Sequence, residues 1–532
     1  MGHSLRNLTP HGGIDTADTP KRSASDRGIA SYGASADDSL GASGLETPPY
    51  FPSTLRPALI SAYGYSFLSQ ACDLLFYIVL FKYLPLTGVG RFSWVMAIMV
   101  FAGLILDLGI SPALTREFSR HKTPLWVVFR QASWIRSPGF LLSLLLFVAW
   151  SVASKPEFEL GAALLLAGLA LAIRTCTTVF TAWLYAVERQ PAANFVTALS
   201  SFGRLVLGVG MIGIARSTDV AWLFAALLLA EVLGTATGWA LCDRVQKQTQ
   251  PSLASLETYE SDFTGVRSRL RAVGLSFGAI TGLSAIQNRM DWLLVSYFLS
   301  VKALALYSMA NKWYEVATKL TALALVSGFP WMCREKGQCG PGLGIFFKGL
   351  LVGSGFIGLA GAFVGPEVLS LIWGEKYAGS EAAVRLLMLA AIPATFDAIL
   401  YHLLIANGAE RFIVRAAIVA TCIQVGVDVL LIPRWGIQGA VVGMFAMIVA
   451  VAVLYGIRAR RQLKVLGWYW TLFPLLLPLG GLLIIQTQVV VWHRILFGLC
   501  LWALASGYPL FCDGKRLGAA SAYARNRWAL SK

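Results

Sequence analysis

The chain has 532 residues, 56% of them apolar and only 14% charged, whereas soluble domains carry about 25% charged residues; a water-soluble globular protein is excluded. Fourteen apolar stretches, at about 20 residues per membrane crossing, take up most of the chain beyond residue 56 and leave no room for a sizeable soluble domain. The net charge of +16 reads as an orientation signal facing an anionic leaflet, with no nucleic-acid partner called for.

In chain order, residues 1–56 are rich in Ser, Gly, Thr and Pro. This composition cannot bury enough surface to order itself, and the segment is predicted to be a disordered cytosolic tail. It has no signal-peptide core or cleavage site. The predicted spans are 57–81, 92–113, 138–153, 158–180, 195–215, 220–241, 272–298, 303–332, 345–365, 384–407, 413–432, 436–457, 469–486 and 491–511. With the N-terminus inside, the tails and inner loops hold 28 basic residues and the outer loops 7. The bias predicts both termini in the cytosol. The eight cysteines are scattered, and no pair has metal-ligand spacing.

The first six spans and the next six read as two copies of one unit. Tyr83, Leu84, Phe92 and Ser93 at the second span recur as Phe298, Leu299, Tyr307 and Ser308 at the eighth, every one 215 residues later. At the inner ends, Pro112, Arg116 and Glu117 repeat the spacing of Pro330, Arg334 and Glu335. Six crossings per copy is an even number, so the copies are parallel and related by a pseudo-twofold axis along the membrane normal. The expected architecture is an all-α polytopic membrane protein of about 14 transmembrane helices. Its parts are a tail (1–56), an N-lobe (57–241), a cytosolic inter-lobe loop (242–270), a C-lobe (271–457), and two further helices with a cytosolic C-terminal tail (458–532).

Three strings carry a resemblance. "NRMDWLLVSYFLSVKALALYSMANKWYE" begins at Asn288. "PEVLSLIWGEKYAGSEAAVRLLMLA" contains Pro366, Trp373, Gly374 and Tyr377, and "LLIPRWGIQGA" contains Ile432, Pro433, Gly436, Gly439 and Ala440. Together they resemble the polysaccharide transporter family of the multidrug/oligosaccharidyl-lipid/polysaccharide flippase superfamily. Asp428, five residues before Pro433, departs from the Asn more usual there. The resemblance implies a flippase of the bacterial inner membrane. It would carry undecaprenyl-pyrophosphate-linked oligosaccharide repeat units to the periplasmic leaflet for O-antigen, capsule or exopolysaccharide assembly. It implies membrane lipid, a polysaccharide polymerase and a chain-length regulator as partners, and no cofactor other than a coupling Na⁺ or H⁺.

A charge at the bilayer centre costs about 2.5–3.5 kcal/mol on insertion scales, so such residues face a cavity or a partner. Asp73, Asp107, Arg174, Arg204, Glu231, Arg289, Asp291, Lys312, Glu315, Lys319, Asp397, Asp428 and His402 all fall within or at the ends of predicted spans. Lys312, Glu315 and Lys319 share one helix face by their i, i+3, i+7 spacing. With Arg174, Arg204 and Arg289 they form the candidate lumen set, cations suited to a pyrophosphate and acidic sugars. Two readings stand for Lys312: a substrate contact, or a neutralising partner of Glu315. Arg204 is either an anion-binding residue or the ion-pair partner of Glu231. Asp397, Asp428 and Glu231 are the candidates for ion coupling, and His402 reads as a packed neutral histidine.

"GVGMIG" (208–213) and "GSGFIG" (353–358) match a dinucleotide fingerprint only in letters. Neither opens a helix after a soluble strand, and both read as glycine ridges for helix packing. A membrane glycosyltransferase or polymerase would need a long catalytic outer loop, which 366–383 is too short to supply. A multidrug antiporter would have a smaller and more apolar cavity.

Overall fold

The computed structural model describes residues 55–507, apart from most of 108–124 and the segments 154–157, 188, 214–218, 250–262, 335–340, 461–467 and 487–494. The predicted tail up to residue 54, the centre of the inter-lobe loop, the repeat residues Pro112, Arg116, Glu117 and Glu335, and the C-terminal tail beyond residue 507 lie outside the described residues. Among the described residues there is no strand and nearly every position is helical.

The helices are α1 Leu55–Tyr83, α2 Leu86–Asp107, α3 Leu125–Ala153, α4 Phe158–Ala186, α5 Gln190–Gly213, α6 Val220–Thr249, α7 Phe263–Phe298, α8 Val301–Arg334, α9 Pro341–Trp373, α10 Glu381–Ala406, α11 Glu410–Trp435, α12 Ile437–Arg458 and α13 Trp468–Gln486. A shorter apolar helix, α14, follows at Ile495–Gly507. By length and composition, eight stretches among the described residues are long and apolar enough to cross a membrane, with Gly342–Ala406 counted as one.

Several helices outrun the predicted spans, and the reasons are local. The third span was expected from 138, yet α3 starts at Leu125 and runs through Pro138. Proline cannot bond to the carbonyl four residues back; Ser137 Oγ donates to that freed Trp134 carbonyl at 2.9 Å. Arg136, which fell outside the predicted span, is buried on α3 against Asp107 of α2 at 2.5 Å. α9 likewise continues through Pro366 to Trp373, so the outer connection shrinks to a 3₁₀ segment, Gly374–Ser380. α6 and α7 extend into both ends of the predicted 242–270 loop, with Lys247 and Asp243 forming an i, i+4 pair on the α6 extension.

Packing repeats with a shift of six helices. Within the first six, α1 packs on α5, α2 on α3 and α4, α4 on α6, and α5 on α6. The same pairs recur as α7 on α11, α8 on α9 and α10, α10 on α12, and α11 on α12. The two lobes meet where α2 packs against α7 and α8. There Ser93 Oγ donates to Ser308 Oγ at 2.9 Å, both buried. These two residues occupy the same place in the two copies, 215 residues apart. Symmetry-related residues touch only at the axis, so the pseudo-twofold runs through this contact.

α13 and α14 dock on the C-lobe. Trp502 Nε1 donates to the Val352 carbonyl at 3.0 Å and Tyr469 to the Ala505 carbonyl at 2.5 Å. Exposed aromatics collect near helix ends: Tyr83, Trp222, Tyr297 and Trp435 on the face that the basic-residue bias makes the outer one, and Trp126, Trp134, Tyr185 and Trp239 toward the other. That is the distribution of interfacial belts.

Candidate functional site

A cavity of about 700 Å³ lies on the C-lobe side of the seam. α7 supplies Ser284, Ala285, Asn288 and Arg289, α8 Asn311, Tyr314, Glu315, Thr318, Lys319, Thr321 and Ala322, α10 Ala394, Thr395, Asp397 and Ala398, and α2 only Val100. Helical rise places Asn311 about 15 Å and Ala322 about 32 Å from the outer start of α8, so the cavity reaches from above the midplane into the inner half. Its volume suits an organic ligand.

One carboxylate organises the charged wall. Glu315 Oε1 accepts from Arg289 Nη2 at 2.7 Å, and Glu315 Oε2 from Lys312 Nζ at 2.7 Å. Each cation also lies over a ring: the Arg289 guanidinium is 4.3 Å from the Trp292 centroid, and Lys312 Nζ is 3.9 Å from that of Tyr77 on α1. Glu315, Lys312 and Arg289 side chains are 13–18% exposed. Lys319, one turn further along α8, is exposed and has no ion-pair partner among the described residues. Lys312 is absent from the cavity wall because its ammonium turns toward Tyr77; this separates it from Lys319, with which the sequence grouped it.

The N-lobe carries a matching layer at similar depth. Arg204 on α5 pairs with Asp73 on α1 at 3.2 Å and donates to Ser201 at 2.9 Å, and Ser201 in turn shares a 2.8 Å hydrogen bond with Ser69. The Glu231 alternative for Arg204 is thus overturned: α1 packs along α5 and brings Asp73 to it. Glu231 is buried on α6, outside the cavity wall. Arg174 is exposed on α4 and likewise outside that wall. Nearby, Arg136 is the residue that the helices α2, α3 and α4 enclose, bonded to Asp107, the Thr175 carbonyl and Thr178.

The carboxylates considered together for coupling are separated. Asp397 belongs to the cavity wall, with Oδ1 buried and unbonded. Asp428 is fully buried elsewhere, neither oxygen having a hydrogen-bond partner among the described residues. It sits against α12, where a Cβ on Gly443 would fall 1.8 Å from Asp428 Oδ1, so glycine is required there. Gln424, four residues earlier on the same face, is also fully buried with an unbonded Oε1. Within electrostatic reach of Asp428 lies Asp291 of α7, 1% exposed. Asp291 accepts hydrogen bonds from Tyr307 and from the Trp292 amide. Two buried carboxylates thus lie within electrostatic reach of each other, Asp291 held by Tyr307 and the Trp292 amide and Asp428 by no hydrogen bond among the described residues. Sequence reasoning missed this pairing, although the signal was present: Asp291 and Asp428 each lie seven residues, about 10 Å, below the outer end of their helix. His402 Nδ1 donates to the Ala398 carbonyl, 2.7 Å away, a packed histidine.

The outer end of the seam is bolted shut. Trp373 Nε1 donates to the Ile78 carbonyl at 3.2 Å, Tyr377 to Phe81 at 3.1 Å, and Lys376 Nζ to the carbonyls of Phe81 (2.7 Å), Lys82 (3.4 Å) and Leu84. Phe81, Lys82 and Leu84 belong to the last turn of α1 and the turn beyond, where a helix leaves carbonyls unsatisfied. A cation at a helix C-terminus also meets the negative end of its dipole. Gly374, with φ +65°, turns the chain out of α9 so that the three donors face α1. Trp373, Gly374 and Tyr377, which carried part of the resemblance, are therefore closure residues.

A two-lobed helical bundle with a polar cavity beside the inter-lobe seam, closed at one face, is the architecture of a membrane transporter. The family described as "Polysaccharide biosynthesis protein" matches residues 59–335, and the chain belongs to that family. The fold is similar to that of the lipid II flippase MurJ in an inward closed conformation, at 12% identity over 85% of this chain and 98% of that one, with TM-score 0.62. It is similar also to an inward-facing multidrug resistance MATE family transporter of the MOP superfamily. There the identity is 16%, over 75% of this chain and 94% of that one, with TM-score 0.53. No curated protein matches the chain.

Proposed function

We propose that the protein is a flippase. It moves an undecaprenyl-pyrophosphate-linked oligosaccharide repeat unit from the cytosolic to the periplasmic leaflet of the bacterial inner membrane, for surface polysaccharide assembly. The observation that carries this reading is the cavity itself. Its wall combines Arg289 and Lys319 with the amides Asn288 and Asn311 and the hydroxyls Thr318, Thr321 and Thr395, groups that bind phosphate and sugar hydroxyls. A polar wall of this kind counts against an apolar-drug antiporter. Transport proceeds by alternating access: headgroups enter the inner half while the α1 latch holds the outer face closed, and release follows when the latch opens.

Coupling to Na⁺ or H⁺ is assigned to the Asp291–Asp428 pair, because Asp428 is fully buried with no hydrogen-bond partner among the described residues and only another carboxylate, Asp291, in electrostatic reach; a lone buried charge is costly, and a bound ion or proton relieves that cost. Asp397, which faces the cavity, is the second acid that ion movement could use. Both termini are assigned to the cytosol; reporter fusions after Arg461 and in the C-terminal tail should both read as cytosolic. The decisive experiment is deletion of the gene. Undecaprenyl-linked repeat units should accumulate in the inner leaflet and long glycan should disappear, with polymerase and chain-length regulator intact. Normal glycan export in the deletion strain would refute the reading.

A further inference from the structure

We infer that Glu315 is a built-in stand-in for the anionic headgroup: in the empty transporter its two oxygens occupy the cations that a ligand's phosphate needs, and the ligand must displace it. This deepens the flippase reading and rests on it for the identity of the ligand, although not for the anion chemistry.

The geometry is that of a bound anion. One oxygen accepts from Arg289 Nη2 and the other from the Lys312 ammonium, both at 2.7 Å. The two cations come from different helices, α7 and α8, and each is steadied from behind by an aromatic face, so their positions do not depend on Glu315 alone. Of the three charged groups, Arg289 and Glu315 line the cavity, which means that an anion entering the cavity meets the Glu315 carboxylate already seated on Arg289. A purely structural ion pair would have no reason to present itself to the lumen.

A place exists for the displaced carboxylate. Lys319 is four residues along the same helix, the favourable Glu-to-Lys spacing. It lines the same cavity and has no ion-pair partner among the described residues. A change of side-chain rotamer carries Glu315 from Arg289 to Lys319, leaving Arg289 open to the cavity for phosphate oxygens and Lys312 as an uncompensated charge behind it. The displacement cost is the same for every anion. It therefore shuts out weakly bound ambient anions such as phosphate, while a lipid-linked diphosphate, which adds sugar and lipid contacts, still binds.

The test uses the full chain purified in lipid nanodiscs, with inorganic pyrophosphate and inorganic phosphate as titrants in calorimetry. Wild type should bind both weakly. Glu315→Gln should bind both more tightly by a similar factor, about tenfold or more, because charge-assisted contacts are freed. Since Glu315→Gln leaves two buried cations together, Lys312→Gln with Glu315→Gln is the second variant. It restores the wild-type net charge of the triad yet still frees Arg289, and should retain a smaller gain over wild type. Equal or weaker anion binding in both variants would overturn the inference. A gain in anion binding without any flipping of lipid-linked glycan by wild type would leave the stand-in role intact and defeat the flippase reading. Glycan export by wild type with no gain in either variant would do the opposite.

Discussion

Replacing Lys376 by methionine tests the idea that the outer face is held shut by α1 carbonyls. The substitution keeps the length of the stem and removes the ammonium, which donates to three carbonyls, the firmest at Phe81 and Leu84. Hydrogen bonds involving a charged group are worth roughly 1.5–3 kcal/mol each when buried. Lys376 is only partly buried, so the low end is taken for the whole cluster, about 1.5–2 kcal/mol. Trp373 and Tyr377 still donate to Ile78 and Phe81 and keep the closed state populated. That energy moves the closed-to-open ratio roughly ten- to thirtyfold. The assay is labelling of a cysteine at Ser308, buried at the axis beneath the latch, by a membrane-impermeant maleimide added from outside. Labelling should quicken by about the same factor in Lys376→Met, with protein level and thermal midpoint nearly unchanged. An unchanged rate would mean that the latch does not hold the closed state.

Three further outcomes follow from other contacts. Ser93→Cys with Ser308→Cys should crosslink under mild oxidation, since the two hydroxyls are 2.9 Å apart; export should stop and return on reduction, and failure to crosslink would place the axis elsewhere. Asp428→Asn and Asp291→Asn should each lower flipping in vesicles more than about tenfold and make the residual rate indifferent to the ion gradient. Asp397→Asn should keep the gradient dependence, and gradient dependence surviving in Asp428→Asn would dismiss the pair as the coupling site. Arg136→Met should destabilise the purified protein by roughly 3 kcal/mol, because it takes the buried guanidinium away from Asp107. Adding Asp107→Asn should recover part of the loss; full stability in the single variant would show that the pair is not a structural clamp.

The membrane class, the order of the helices and the twofold repeat were all legible in the sequence, because each is a local property summed along the chain. Apolar length sets a span, basic residues set its direction, and the 215-residue offset at the outer ends set which positions correspond there. The offset even foretold that Ser93 and Ser308 occupy equivalent places. Depth was legible too, since helical rise is fixed: Asp291 and Asp428 sit seven residues from their outer ends, and the layer of Asp73, Arg204, Arg289 and Lys312 can be counted off in the same way.

Which charges meet within a layer was decided only by tertiary packing, because rise along the axis says nothing about the direction in which a side chain points or which helix lies beside it. Arg204 faced two acids at comparable depth, and the packing of α1 along α5 gave it to Asp73 rather than Glu231. Lys312 and Lys319 share a stripe of α8, yet Tyr77 of the other lobe draws Lys312 aside while Lys319 stays in the cavity. Arg136 lay outside every predicted span, and α2 brought Asp107 to it. The outer latch depends on α9 continuing past Pro366 and on Gly374 turning its donors onto α1, a contact between residues nearly 300 positions apart that neither segment announces alone.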